Sequence, residues 1–97
     1  MMKIKTGTLT GVDTTAVPVN VGFKPDLVWL LNTTDFGTMI WTNTMADDYG
    51  YLSVGSTGVE TFVSGGITPT DLGFSLGVDT EINGTSDAIL YIAIRED

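Results

Sequence analysis

The sequence predicts an all-β protein, an antiparallel β-sandwich of jelly-roll type with seven to eight short strands. Three observations carry this. No window keeps apolar residues at helical spacing for three turns. Thr, Val, Ile and aromatic residues alternate with Gly, Asn and Asp, and turn signals recur about every eight to twelve residues. Two segments, Leu27 to Leu31 and Ala88 to Arg95, are apolar on both faces, the pattern of strands covered on each side.

Along the chain, Met2 to Thr10 alternates Met2 and Ile4 with Lys3 and Lys5, giving a half-exposed first strand that ends at Gly11-Val12-Asp13. Thr15 to Val21 sets Val17, Val19 and Val21 on one face. Pro18 cannot donate to a ladder, which places this strand at an edge or on a bulge. Gly22 permits a turn, and Pro25 biases Lys24 toward extended geometry. Asp26 to Thr33 follows as the central strand, with Trp29 read as core. Thr34-Asp35 turns the chain, and Phe36 to Asn43 returns beside it, completing a hairpin. Trp41, on that return strand, suits either the core or an interface, where Trp is enriched.

Thr44 to Gly58 reads as mostly loop, with a short strand at Tyr49 to Val54. Val59 to Ser64 is a strand, Ile67 to Pro69 a connector, and Leu72 to Leu76 another strand. Asn83-Gly84 suits a hairpin turn with positive φ. Ala88 to Arg95 places Ala88, Leu90, Ile92 and Ile94 on one face and Ile89, Tyr91 and Ala93 on the other, a second buried strand.

At 97 residues the chain is expected to form one domain, residues 1–97. Hydrophobic residues make up 42% but charged ones only 16%, against roughly 25% in ordinary soluble domains. Surplus apolar residues in a short chain face a partner or a copy of the chain, so a homo-oligomer is expected. Lys and Arg number 4 against 12 Asp and Glu, a net charge of −8. That charge repels phosphate backbones and anionic lipid, so neither nucleic acid nor a membrane surface is an expected partner. No apolar run approaches the ~20 residues of a membrane span, and Met1-Met2-Lys3 leads into a polar stretch, not a signal-peptide core. A soluble protein made in the cytoplasm is expected.

With no His and no Cys, the commonest general base and the strongest nucleophile are missing, and so are the usual zinc ligands. An enzyme is therefore not expected, and neither is a cofactor. Asp79-x-Glu81-x-Asn83-Gly84-x-x-Asp87 places oxygen donors as a calcium loop does, but Leu90 stands where the bidentate acid belongs. A hairpin turn in an acidic protein accounts for the pattern better. Asp47-Asp48-Tyr49-Gly50-Tyr51 fits either a carbohydrate-contacting loop or a pair of tyrosines capping the end of a sandwich. Asn32-Thr33-Thr34 and Asn83-Gly84-Thr85 match the glycosylation acceptor pattern, which carries meaning only behind a secretory signal.

The order of several landmarks is more telling than any one of them. Gly22-Phe23-Lys24-Pro25-Asp26-Leu27-Val28-Trp29, then Trp41 and a polar loop, then Gly73-Phe74-Ser75-Leu76-Gly77, then Asn83-Gly84 leading to Tyr91-Ile92-Ala93-Ile94-Arg95-Glu96, resembles the small glycine-rich β-domains of tailed-bacteriophage virion proteins. The resemblance runs over roughly Thr8 to Glu96. It implies a structural role in the virion, here as a short stand-alone protein. The expectation is a capsid decoration, or cement, protein that binds the outside of the shell and bridges neighbouring major capsid proteins. A trimer is favoured because shell lattices present three-fold positions, and a dimer is the other option. Met2, Lys3, Ile4 and Lys5 are the candidate shell-contacting residues, with Trp41 a candidate interface anchor. A tail or fibre module that grips a host-surface glycan through Asp47, Asp48, Tyr49 and Tyr51 is the alternative, and an inhibitor of a host enzyme is a third.

Overall fold

A computed structural model describes residues 2–96. The protein is all-β and antiparallel, as the sequence predicts. Nine strands form: β1 (Lys3–Thr10), β2 (Val17–Asn20), β3 (Leu27–Asn32), β4 (Thr38–Thr42), β5 (Tyr49–Ser53), β6 (Glu60–Ser64), β7 (Ile67–Thr70), β8 (Gly73–Leu76) and β9 (Ala88–Arg95). One helical turn, α1 (Thr80–Asn83), precedes β9.

The strands make one hydrogen-bonded sheet in the order β1-β9-β3-β4-β5-β7-β8-β2, with β6 added beside β7 on β5. That sheet curls into a half-barrel. Two stacked sheets, the sandwich expected from the doubly apolar strands, are not what the pairing gives. The curl closes the core against itself: the Phe74 ring of β8 meets the Tyr91 ring of β9 edge-on, 5.6 Å between centroids. Trp41, Leu30, Met39, Ile67, Leu76, Ile82 and Ile89 fill the concave side. Gly7 lets the Tyr91 ring lie across β1, since a Cβ there would come within 2.6 Å of the Tyr91 hydroxyl.

Pro18 lies in β2, the terminal strand of the sheet opposite β1, where a missing N–H leaves no ladder bond unmade. Gly22 has φ 89°, and its N–H donates to Asn20 Oδ1 at 3.0 Å. β3 and β4 form the expected hairpin, with Leu31 opposite Thr38. Two segments depart from expectation. Ile67–Thr70 is a strand, because Thr68 and Thr70 pair with Ser75 and Gly73 of β8 and Pro69 ends up on an antiparallel ribbon near the turn. The Asn83-Gly84 hairpin turn is instead the end of α1: Asp79 caps the helix by accepting from Glu81 N at 2.9 Å, and Gly84 has φ −65°.

The reason lies in the Asn83 side chain, which is fully buried. Its Oδ1 accepts from Val12 N at 2.8 Å, and its Nδ2 donates to Gly77 O at 2.8 Å and Thr15 O at 3.1 Å. One amide thus ties together the loops after β1, after β8 and before β9. Asn32 does the same at the β3–β4 turn: Oδ1 accepts from Thr34 N and Asp35 N, and Nδ2 donates to Glu81 O and Asp87 Oδ2. Both asparagines of the glycosylation-like triplets are therefore interior residues.

Asn83→Ala strands two backbone carbonyls and an N–H in a buried setting. The variant is expected to unfold with a stability lower by about 2–3 kcal/mol, measured by urea titration. A loss within error of zero would show that solvent replaces the amide.

Candidate functional site

Directly paired residues of neighbouring strands lie on one face of a sheet, so the register fixes what the outer face presents. One row crosses six strands: Thr6, Ile92, Trp29, Ile40, Tyr51 and Phe62. A second row is Ile4, Ile94, Leu27 and Thr42, and a third is Thr8, Leu90, Leu31, Thr38, Ser53 and Glu60. Across these rows the only charged side chain is Glu60, at the β6 margin. No element of the described residues covers this face. Trp29 and Ile40 are each 40% exposed, Leu90 44%, Phe62 53% and Ile4 59%.

This corrects the expectation that the central strand and Ala88 to Arg95 are covered on both faces, for β9 too leaves Leu90 exposed between buried Ile89 and Tyr91. β3 is covered on one side only: Val28, Leu30 and Asn32 are buried, and Trp29 is exposed between them. Trp41, the candidate interface anchor, is the core tryptophan, 2% exposed, with Nε1 donating to Ala46 O at 3.1 Å. Beside Trp29 lies a groove of about 200 Å³ lined by Thr6, Trp29, Leu31, Leu90, Tyr91 and Ile92.

The other sequence candidates fall in two places. Met2, Lys3, Ile4 and Lys5 are exposed on or just before β1, the outermost strand beyond β9. Lys3 and Lys5 point to the concave side, opposite Arg95 and Ala93, whereas Ile4 joins the outer face. Tyr49 and Tyr51 are not on a loop. They alternate on β5 and share the outer face with Phe62, whose ring stacks on Tyr49 at 6.0 Å and meets Tyr51 edge-on at 4.9 Å. Tyr51 donates its hydroxyl to Glu60 Oε1 at 2.7 Å. That bond, loss of hydration and the Glu60 charge push the phenol above its ordinary 10.0. Asp47 and Asp48 are exposed where the chain enters β5, Asp48 with φ 59°.

The donors of the calcium-like pattern are engaged separately. Asp79 caps α1, Asn83 binds three loops and Asp87 accepts from Asn32. Among the described residues no three acidic side chains converge to hold a metal ion. Asp35 does approach Asp87. A side-chain hydrogen bond to Asp87, loss of hydration and the like charge hold the Asp35 carboxyl above its ordinary 3.8.

The comparisons with known proteins add no family: no family model, no curated protein and no solved structure matches the chain. Phe62 and the outward position of Trp29 are what sequence reasoning missed. The short strands expected at Tyr49 to Val54 and at Val59 to Ser64 both form, as β5 and β6; what the alternation leaves open is their register, which sets Phe62 beside Tyr51.

Because Asp35 binds its proton more tightly in the folded chain than in the unfolded one, its contribution to stability falls as pH rises through the range above 3.8. Asp35→Asn is expected to remove that component, so that wild type loses melting temperature relative to the variant as pH climbs from acid to neutral. Parallel melting curves at every pH would refute the coupling.

Proposed function

We propose that this chain is a structural protein of a tailed-bacteriophage virion, a capsid decoration protein that binds the outside of the shell and stabilises contacts between neighbouring major capsid proteins. In this reading it works by assembly and performs no catalysis. The observation that carries it is β1: an eight-residue strand at the end of the sheet, without proline, holding two of the chain's four cations. Such an edge accepts an extended segment of another protein by strand addition, with backbone bonds supplying affinity and Lys3 and Lys5 favouring an acidic or neutral partner strand. Several weak docking sites held at fixed spacing reinforce one another once one has engaged. A net charge of −8 keeps decorated particles from adhering to each other or to nucleic acid.

A second reading has an observation of its own. Tyr49, Tyr51 and Phe62 form a contiguous aromatic surface next to Asp47 and Asp48, which is the chemistry that grips a sugar face and its hydroxyls. It supports a tail or fibre module binding a host-surface glycan.

Cryo-electron microscopy of the purified particle separates the two. Decoration predicts a small β-domain at capsid lattice points, and Lys3→Glu with Lys5→Glu is expected to lower its occupancy about tenfold, near the loss of one charge-assisted contact. Density confined to the tail would contradict decoration and support the glycan reading; absence from the particle would contradict both.

A further inference from the structure

The outer face is the largest feature of the molecule that β1 docking leaves unused. We propose that it packs against the same face of a second copy, so that two curled sheets complete a two-layered β-sandwich between them. The inference stands apart from the virion reading, since it concerns the free protein.

Area is the first argument. At roughly 200 Å² for a large apolar side chain fully exposed, Ile4, Trp29, Ile40, Phe62 and Leu90, at exposures of 59%, 40%, 40%, 53% and 44%, leave about 500 Å² of apolar surface. Half-buried neighbours such as Leu31 and Ile92 bring the face toward the ~800 Å² that each partner contributes to a stable complex. A patch of this size is at the upper limit of what monomers leave open.

Self-complementarity is the second. A two-fold interface requires one surface to offer both projection and recess. Here the exposed Trp29 indole stands against the ~200 Å³ groove between Thr6, Leu31, Leu90 and Ile92, so a two-fold axis beside it sets each indole into the partner's groove. Two facing sheets of this kind pack about 10 Å apart with their strands near −30°. That spacing is filled by side chains of the size present here.

Charge is the third. No charge of either sign lies within the six-strand row through Trp29, and Glu60, at the β6 margin, is the one charged side chain of the three rows, so the centre of the contact desolvates no acid. The trimer expected from shell lattices needs a heterologous contact between two different patches, whereas the self-matching shape of this face suits a pair. Because each copy carries −8, the pair is opposed by long-range repulsion, and salt should tighten it. A basic partner on the same face would show the reverse.

The test is sedimentation equilibrium of the full chain from micromolar to millimolar concentration, at salt raised from about 0.05 to about 0.5 M, which shortens the Debye length several-fold. The expected result is a monomer–dimer equilibrium that tightens with salt, and that Trp29→Asp weakens by about 30-fold or more, the effect of removing a hot-spot side chain. Far-ultraviolet circular dichroism verifies that the variant is folded. Should it not be, Leu90→Lys, on an adjacent strand position of the same face, takes its place with the same expectation. A monomer at every concentration, a trimer, a dimer loosened by salt, or a dimer indifferent to folded variants at Trp29 and Leu90 would overturn the proposal.

Discussion

One constraint governs this molecule: a sheet has two faces, and the described residues of this chain cover only one of them. Burying apolar surface is the dominant favourable term in folding, and here the curl of the sheet achieves it without a second layer. Bending β8 and β2 over β9 brings Phe74 onto Tyr91 and encloses Trp41, Met39 and Leu30. The price of the curl is that the convex side is left to solvent along its whole width. Everything distinctive about the surface follows from that.

The open end of the half-barrel is held by polar groups. Asn32 and Asn83 satisfy backbone donors and acceptors that the turns would otherwise bury unpaired, a condition that interiors enforce strictly. α1 packs on β3 and β4 and inserts Ile82 into the core, which makes it the plug of the concavity. Asp35 and Asp87 are thereby drawn close enough for a side-chain hydrogen bond that holds the Asp35 carboxyl above its ordinary range. The segment that resembles a cation loop in sequence is thus part of the frame.

Much of the fold was legible in the residues. The β9 alternation, the β3–β4 hairpin and the edge position forced by Pro18 all follow from period, turn chemistry and the lost N–H. The layer arrangement was not, because Val28-Trp29-Leu30 is equally consistent with a strand covered on both sides by its own chain and with one covered by it on one side only. Composition alone cannot say which of two tryptophans faces in. The register does, by placing Trp41 opposite Val28 and Trp29 opposite Ile40. α1 was illegible for a different reason: Asn-Gly carries a strong turn preference, and only the long-range bonds of Asn83 to Val12 and Thr15 override it. The exposed β1 edge was visible as a half-exposed first strand carrying Lys3 and Lys5 in an acidic chain. The aromatic surface of β5 and β6 was half visible, in Tyr49 and Tyr51 but not in Phe62.

Two surfaces of the molecule are thus open: an edge strand suited to backbone pairing and a convex face, charged only at its Glu60 margin across its three rows, suited to side-chain packing. The second is the central claim, and the two tryptophans report on it directly. Trp41 is 2% exposed and Trp29 40%, so fluorescence quenching by acrylamide separates a shielded indole from one on the convex face. The account predicts that, in concentrated protein, neither indole is readily quenched, and that on dilution one class becomes accessible while emission shifts to longer wavelength. A readily quenched class of constant size at every concentration would mean that the convex face stays in solvent, and would contradict the account.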